Sequence, residues 1–263
     1  MRRLLLIGVG AGDPGYVTAA AARALNEVDV FFVVDKGGDA DELVALRRLI
    51  LDRFVERPTF RIVELPDPPR DRASDAYREA VDDWRERRAD LWGRALRDEL
   101  DEDGVGAFLV WGDPSLYDST IDVVERVRGR GGVAFDHEVI PGVSSIHALT
   151  ARHRITLNRV GGAVLITTGR RLEESGWPEG VDDLVVMLDA RCSFASIDPA
   201  GIDIYWGAYL GTADEILVAG PLGEVGGEIR RVRGEARERK GWIMDTYLLR
   251  RGRSGRSVHR IEA

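Results

Sequence analysis

Residues 4–18 read LLLIGVGAGDPGYVT. An apolar run that stops at glycine and resumes as a helix is the outline of a buried parallel strand feeding a βα turn. A dinucleotide clamp at such a turn needs G-x-G-x-x-G, with an acid closing the second strand about 20 residues on. Gly8 and Gly10 fit, and Asp35 stands where the ribose-binding acid would be. The third glycine does not fit: position 13 is Asp, and Gly12 comes one residue early. A carboxylate there opposes a diphosphate at the helix N-terminus, and Pro14 removes a backbone donor. An NAD-linked oxidoreductase would need a diphosphate that tolerates Asp13. The glycines still let the backbone approach something closely.

The alternation of strand and helix continues outward from this turn. Residues 29–34 (DVFFVV) are a second continuous apolar strand, with an alanine-faced helix at 18–26 between the two. Residues 42–54 carry Leu43, Leu46, Leu49 and Ile50 at helical spacing. The proline-rich ELPDPPRD at 64–71 reads as a break, and 74–100 as one long polar helix whose charges face solvent. AFLVW (107–111) is the next strand, a helix runs through Val127, and a strand at 133–140 ends at Pro141-Gly142. In the second half, 163–168, 183–188, 203–210, 215–222 and 242–249 read as strands with looser alternation. The expectation is an α/β chain with mainly parallel sheets. It divides into 1–141, 142–250 and a mobile basic tail over 251–263.

Composition narrows the partners. The 263 residues are 44% hydrophobic and 31% charged, which suits a core-forming chain of one large domain or two of ordinary size. A net charge of -8 argues against general nucleic-acid affinity, which needs a positive surface. The single Cys192 leaves no intrachain disulfide to suggest an oxidising compartment. Arg2-Arg3 precede an apolar run, but Asp13 and Pro14 interrupt it, which disfavours a signal peptide. No apolar stretch approaches the roughly 20 residues of a membrane span. The expected location is cytoplasmic, with no membrane partner. The four histidines lack paired ligand spacing with Cys192, so no metal is expected.

Two further turns bear on function. LVWGDPSLYD (109–118) is a strand ending at Gly-Asp-Pro, and IPGVSSIHAL (140–149) opens on Pro-Gly. Ligands of open α/β sheets bind beyond the carboxyl ends of strands, so turns in this order can converge on one cleft.

On these residues the chain resembles the S-adenosylmethionine-dependent tetrapyrrole methyltransferases. The resemblance rests on IGVGAGDPGYVTAAAARALNEVDV (7–30), the Gly-Asp-Pro turn, the Pro-Gly-x-Ser turn and YLGTADEILVAGPL (209–222), in order over most of the chain. Within the family, VDVFFVVDKG (28–37), DELVALRR (41–48), a long insertion over 58–103 and MLDARCSF (187–194) look most like a deacetylating branch. The resemblance implies two α/β domains enclosing a cofactor cleft, S-adenosylmethionine as methyl donor, and a homodimer. It implies an enzyme of aerobic corrin synthesis that methylates C1 of precorrin-5. Precorrin-5, S-adenosylmethionine and water would give precorrin-6A, S-adenosylhomocysteine and acetate.

The family's cofactor contacts carry over where positions match. They fall at Gly112 and Asp113, with Trp111 where many members have Gly, and at Leu116 three residues after the Asp. Ser144 and Ser145 follow Pro-Gly, a late strand position falls at Leu188 or Met187, and the Gly-Thr turn gives Gly211 and Thr212. Ala11 stands where members often carry Pro, and Asp35 lies one residue from an acid that some members use as a base.

The deacetylation needs a base for water and donors for the developing oxyanion. Asp35 and His147 are the candidate bases and Tyr117 the candidate donor. A substrate rich in carboxylates must enter an acidic chain, which makes Arg47, Arg48, Arg152, Arg154, Arg170 and Arg171 candidates for receiving it. Three readings stay open beside the deacetylating one: a methyltransferase of another precorrin, an NAD-linked oxidoreductase, and a noncatalytic tetrapyrrole-binding protein.

Overall fold

The computed structural model describes residues 1–35, 41–56, 59–69 and 77–252. The start of the expected polar helix at 74–76 and the tail from 253 onward lie outside the described residues. The chain forms two compact units, Met1–Ser144 and Ser145–Ala263.

The first unit alternates β1 (Arg2–Gly8), α1 (Ala19–Leu25), β2 (Val30–Asp35), α2 (Asp41–Phe54), β3 (Arg61–Pro66), α3 (Tyr77–Glu99), β4 (Val105–Val110), α4 (Thr120–Gly129) and β5 (Phe135–Ile140). Its sheet has the order β3-β2-β4-β1-β5, and every pair is parallel. The continuous apolar run of β1 has a direct cause. Leu4 and Leu6 pack with Phe32, Trp92, Phe108 and Val123 on one face. Leu5 and Ile7 pack with Ala21, Leu25, Phe31 and Ile50 on the other. A strand covered by helices on both sides has no polar face to alternate.

Two expectations need correction here. Residues 64–71 are not wholly a break, because β3 runs through Pro66 as the edge strand paired to β2. Of its side chains only Leu65 is buried, so it lacked an apolar signature, and an edge strand tolerates proline at its end. The long helix is not wholly solvated either. Trp84, Arg88, Trp92 and Leu96 recur every four residues along a buried stripe of α3. Arg88 sits within that stripe, bidentate to Asp67 at 2.7 and 2.9 Å, with its guanidinium 4.0 Å from the Trp84 ring.

The second unit holds α5 (Ser145–Arg152), β6 (Val164–Thr168), α6 (Gly169–Ser175), β7 (Asp183–Met187), β8 (Ile202–Ala208), β9 (Ile216–Pro221), α7 (Leu222–Lys240) and β10 (Asp245–Arg251). The sheet order is β6-β7-β10-β8-β9. The α/β architecture holds, but this sheet is mixed: β6 and β7 are parallel, and the other pairs are antiparallel. A short turn returns β9 directly against β8, as antiparallel strands allow, and β10 then inserts between β7 and β8.

Helix α7 was not expected. Its apolar stripe was present as Leu222, Val225, Ile229, Val232 and Ala236, spaced alternately three and four residues apart. Four glycines and a dense set of charges mask that stripe in the sequence.

Candidate functional site

In the first unit the strand ends are level. Gly8 of β1 pairs with Val110 of β4, and Ile7 with Ile140 of β5. The three Gly/Pro turns therefore leave one edge of the sheet together, and they are bonded to each other. Gly112 N donates to Gly10 O at 2.8 Å, and Gly10 N returns to Gly112 O at 3.2 Å. Gly142 N donates to Asp113 Oδ2 at 2.9 Å. Asp113 Oδ1 accepts from Ser115 N at 2.9 Å and from the Ser115 hydroxyl.

This packing accounts for the glycines. A Cβ on Gly142 would lie 2.0 Å from Gly112 O, and one on Gly8 would lie 2.6 Å from Gly142 N. Gly10 has φ +84° and would carry a Cβ 2.6 Å from that of Tyr16. The close approach read from the sequence is the approach of one turn to another. Asp13 has a local task as well: it caps the short helix Pro14–Tyr16 by accepting from Gly15 N at 2.7 Å.

The remaining candidates of this unit surround the same edge. Ala11 and Ser144 are buried, Trp111 and Leu116 half-buried, and Asp35 closes β2 opposite Pro66. Leu116 N donates to Asp113 O at 3.2 Å. Tyr117 is 46% exposed with φ +50°, and burial of the rest of the ring raises its phenol pKa. On α2, Arg48 is exposed. Burial of Arg47 lowers its pKa, with the carboxylate of Asp118 acting in the opposite direction.

In the second unit, pairing again sets the edge. Thr168 pairs with Met187, Met187 with Thr246, and Asp245 with Ala208, so β6, β7 and β8 all end at one level. Leu188, just past β7, has φ +53° and is 66% exposed. Past β8, Tyr209 is buried at φ +50°, with its hydroxyl 2.6 Å from Trp242 O. Thr212 Oγ1 donates to Tyr209 O at 2.8 Å, and Gly211 N donates to Glu215 Oε2 at 2.9 Å. Glu215 also accepts from Arg152 Nε at 2.6 Å, which ties the Gly-Thr turn to the end of α5.

Ser145 opens α5, and His147 is exposed on it, its carbonyl accepting from Thr150 Oγ1 at 3.1 Å. Arg154, Arg170 and Arg171 are exposed. Five non-glycine residues have a left-handed backbone among the described residues. Three of them, Tyr117, Leu188 and Tyr209, lie in the turns after β4, β7 and β8. Such strain persists where surrounding structure enforces it, and it concentrates at ligand sites.

The sequence reading missed Glu215, Asp189 and Arg233, which fasten these turns from behind. The bond from Arg233 to Asp189 O is remote in sequence, while those from Gly211 N to Glu215 and from Ser193 N to Asp189 span only four residues. Among the described residues no group of His, Cys, Asp or Glu could hold a metal ion.

Comparison with known proteins bears on the same turns. The family model of the Tetrapyrrole (Corrin/Porphyrin) Methylases matches residues 3–226. A precorrin-6A synthase (deacetylating) of Sinorhizobium sp is 51% identical over 252 residues, covering 96% of this chain and 96% of that protein. The crystal structure of a cobalamin synthesis related protein (CobF) from Corynebacterium diphtheriae superposes with a TM-score of 0.81 at 36% identity, covering 95% and 99% of the two chains. A uroporphyrin-III C-methyl transferase from Thermus thermophilus, complexed with S-adenyl homocysteine, shares the fold at TM-score 0.55 and 22% identity, over 94% and 96%.

Proposed function

Because the chain belongs to the tetrapyrrole (corrin/porphyrin) methylases, we propose that its turns position S-adenosylmethionine and precorrin-5 for methylation at C1, with the acetyl group released as acetate. The protein is a methyltransferase of aerobic cobalamin biosynthesis that forms precorrin-6A. One observation carries this reading: 51% identity to a deacetylating precorrin-6A synthase extends over 96% of both chains, and so through both units.

The turns suit the cofactor. Ala11, Trp111, Gly112, Asp113, Leu116 and Ser144 of the first unit, with Ser145, Met187, Leu188, Gly211 and Thr212 of the second, are the residues we assign to it. Bound S-adenosylmethionine supplies a methyl group on a cationic sulfur, open to in-line displacement. Fixing donor and acceptor in line is then most of what the protein must do. Asp113 serves first by joining two turns, since both of its oxygens already accept protein donors.

Deacetylation adds a proton problem. Water attacks the acetyl carbonyl, the bond from that carbonyl to C1 breaks, and its electron pair stays on C1 to take the methyl. Asp35 or His147 accepts the proton of the attacking water, and Tyr117 donates to the acetyl oxygen. The Tyr117 phenol is protonated at neutral pH like any tyrosine, and burial raises its pKa further. Among the arginines, Arg152 is paired to Glu215, and Arg48, Arg154, Arg170 and Arg171 are exposed; with Arg47 they are the residues we assign to receiving substrate carboxylates.

The reading places the enzyme in the cytoplasm as a homodimer, without a nucleic-acid or membrane partner. A net charge of -8 supports the exclusion of nucleic acid. Among the described residues no helix is long and apolar enough to cross a membrane.

The test is mass spectrometry of precorrin-5 incubated with the protein and methyl-labelled S-adenosylmethionine, with acetate assayed in parallel. One labelled methyl and one acetate per product are expected. A methylated precorrin without acetate would move the step elsewhere in the family, and absence of any turnover would leave a binding protein.

A further inference from the structure

Leu188 is an anomaly at the end of its strand. The four residues before Met187 in β7 are buried, yet Leu188 is 66% exposed and left-handed at φ +53°. An exposed leucine gains nothing from the core to offset a backbone conformation that L-residues avoid. The force holding it there comes from its neighbour.

Asp189 is 5% exposed, and its carboxylate is fully engaged. Oδ1 accepts from Arg191 N at 2.9 Å and Ser193 Oγ at 3.0 Å. Oδ2 accepts from Ser193 N at 2.6 Å and Tyr247 Oη at 2.7 Å. Its backbone carbonyl accepts from Arg233 Nη2 at 2.7 Å, and Arg233 is itself held by Asp245 at 2.9 Å. Asp245 is braced in turn by Trp206 Nε1 at 2.9 Å. Leu188 thus lies between Met187, fixed in the sheet ladder against Thr246, and an aspartate fixed from α7 and β10. Space has been kept for this arrangement: a Cβ on Gly169 would sit 2.5 Å from Asp189 Cγ. Gly169 has no positive φ to explain it, and the three nearest atoms such a Cβ would meet all belong to Asp189.

We propose that Asp189 is a positioning residue for the cofactor, holding the Leu188 turn in its binding conformation through Tyr247 and Arg233, with Gly169 keeping the space it needs. This rests on the assignment of Leu188 and Met187 to S-adenosylmethionine. Asp189 does not touch the reacting atoms. Its effect falls on affinity, not on the chemical step.

The experiment is titration calorimetry of S-adenosylhomocysteine with the full chain, with steady-state methyl transfer at varied S-adenosylmethionine, on variants confirmed folded by circular dichroism. Asp189→Asn turns one acceptor into a donor facing donors, and Gly169→Ala drives a methyl group into the carboxylate. Each is expected to raise Kd and the KM for S-adenosylmethionine about tenfold, a shift of about 1.4 kcal/mol. In both, kcat at saturating cofactor should stay within about twofold. Tyr247→Phe, which removes one donor and spares the carboxylate, should give a smaller rise in the same direction. It keeps the test open if Asp189→Asn does not fold. A lower melting temperature with unchanged Kd in the folded variants assigns Asp189 to stability alone and overturns the proposal. Leu188→Asp separates the two levels. If it weakens binding while the Asp189, Gly169 and Tyr247 variants do not, the positioning role fails by itself. If it too leaves Kd unchanged, the cofactor assignment of the turn fails and takes the proposal with it.

Discussion

At the scale of single residues, the glycines of the turns are set by backbone packing. Gly142→Ala would force a Cβ to within 2.0 Å of Gly112 O, an atom with no side-chain freedom to move aside. We expect a loss of about 3 kcal/mol or more in urea unfolding, at or above the upper end for overpacking. Gly234, inside α7, is the matched control, because a Cβ there meets nothing within 4 Å and the backbone needs no positive φ. Gly234→Ala should instead stabilise by about 0.4–1 kcal/mol through the unfolded state. If both changes cost the same, the turn-to-turn account of Gly142 is wrong. The sequence made these glycines visible but not their reason. Gly8 and Gly142 are 134 positions apart in the numbering, and no local pattern encodes that they touch. Asp113 was visible in the sequence in the same partial way. Its place in the motif could be read, whereas its bond to Gly142 N needed the fold.

At the scale of elements, legibility followed how each segment is covered. The central strands β1, β2 and β4 of the first sheet were readable because burial on both faces leaves an apolar run. Edge strand β3 and helix α7 were not, since each spends most of its side chains on solvent. Helix α3 shows why a charged sequence misleads: its charged residues do two different jobs. Arg88 is buried against Trp84 and Trp92 and bonded twice to Asp67. The exposed rim pairs Glu86 with Arg126 and Arg130 of the α4 end. Those arginines hold the Glu86 carboxyl below its usual pKa, but water screens the pair. Arg88→Ala leaves Asp67 without its buried partner and should cost about 3–5 kcal/mol. Glu86→Ala should cost under about 1 kcal/mol, and its effect should fade near 1 M salt, where screening acts within about 3 Å. Comparable losses for the two variants in urea melts would refute this division.

At the scale of the whole molecule, the chain carries two separate sets of core residues. The clusters of the first unit gather residues from its parallel sheet and four helices, whereas that of the second gathers a mixed sheet, α6 and α7. The family motifs were legible in order along the chain, and the residues assigned to the cofactor fall in both units. Each unit bonds its own turns internally, Gly10 to Gly112 in the first and Gly211 to Glu215 in the second. Cofactor binding is therefore where the two halves of the motif set are jointly tested. At a hundredfold excess over Kd, S-adenosylhomocysteine should add about 2.7 kcal/mol to the stability of whatever it binds. Hydrogen exchange can then report each unit separately. Amides at the ends of β1 and β4 and those in the turns after β7 and β8 should slow together, and by similar factors, as ligand is added. Slowing confined to the first unit would leave Gly112, Asp113 and Ser144 assigned and remove Leu188, Gly211 and Thr212. Slowing confined to the second would do the reverse, and the glycine turns of the first sheet would then be explained by their packing alone.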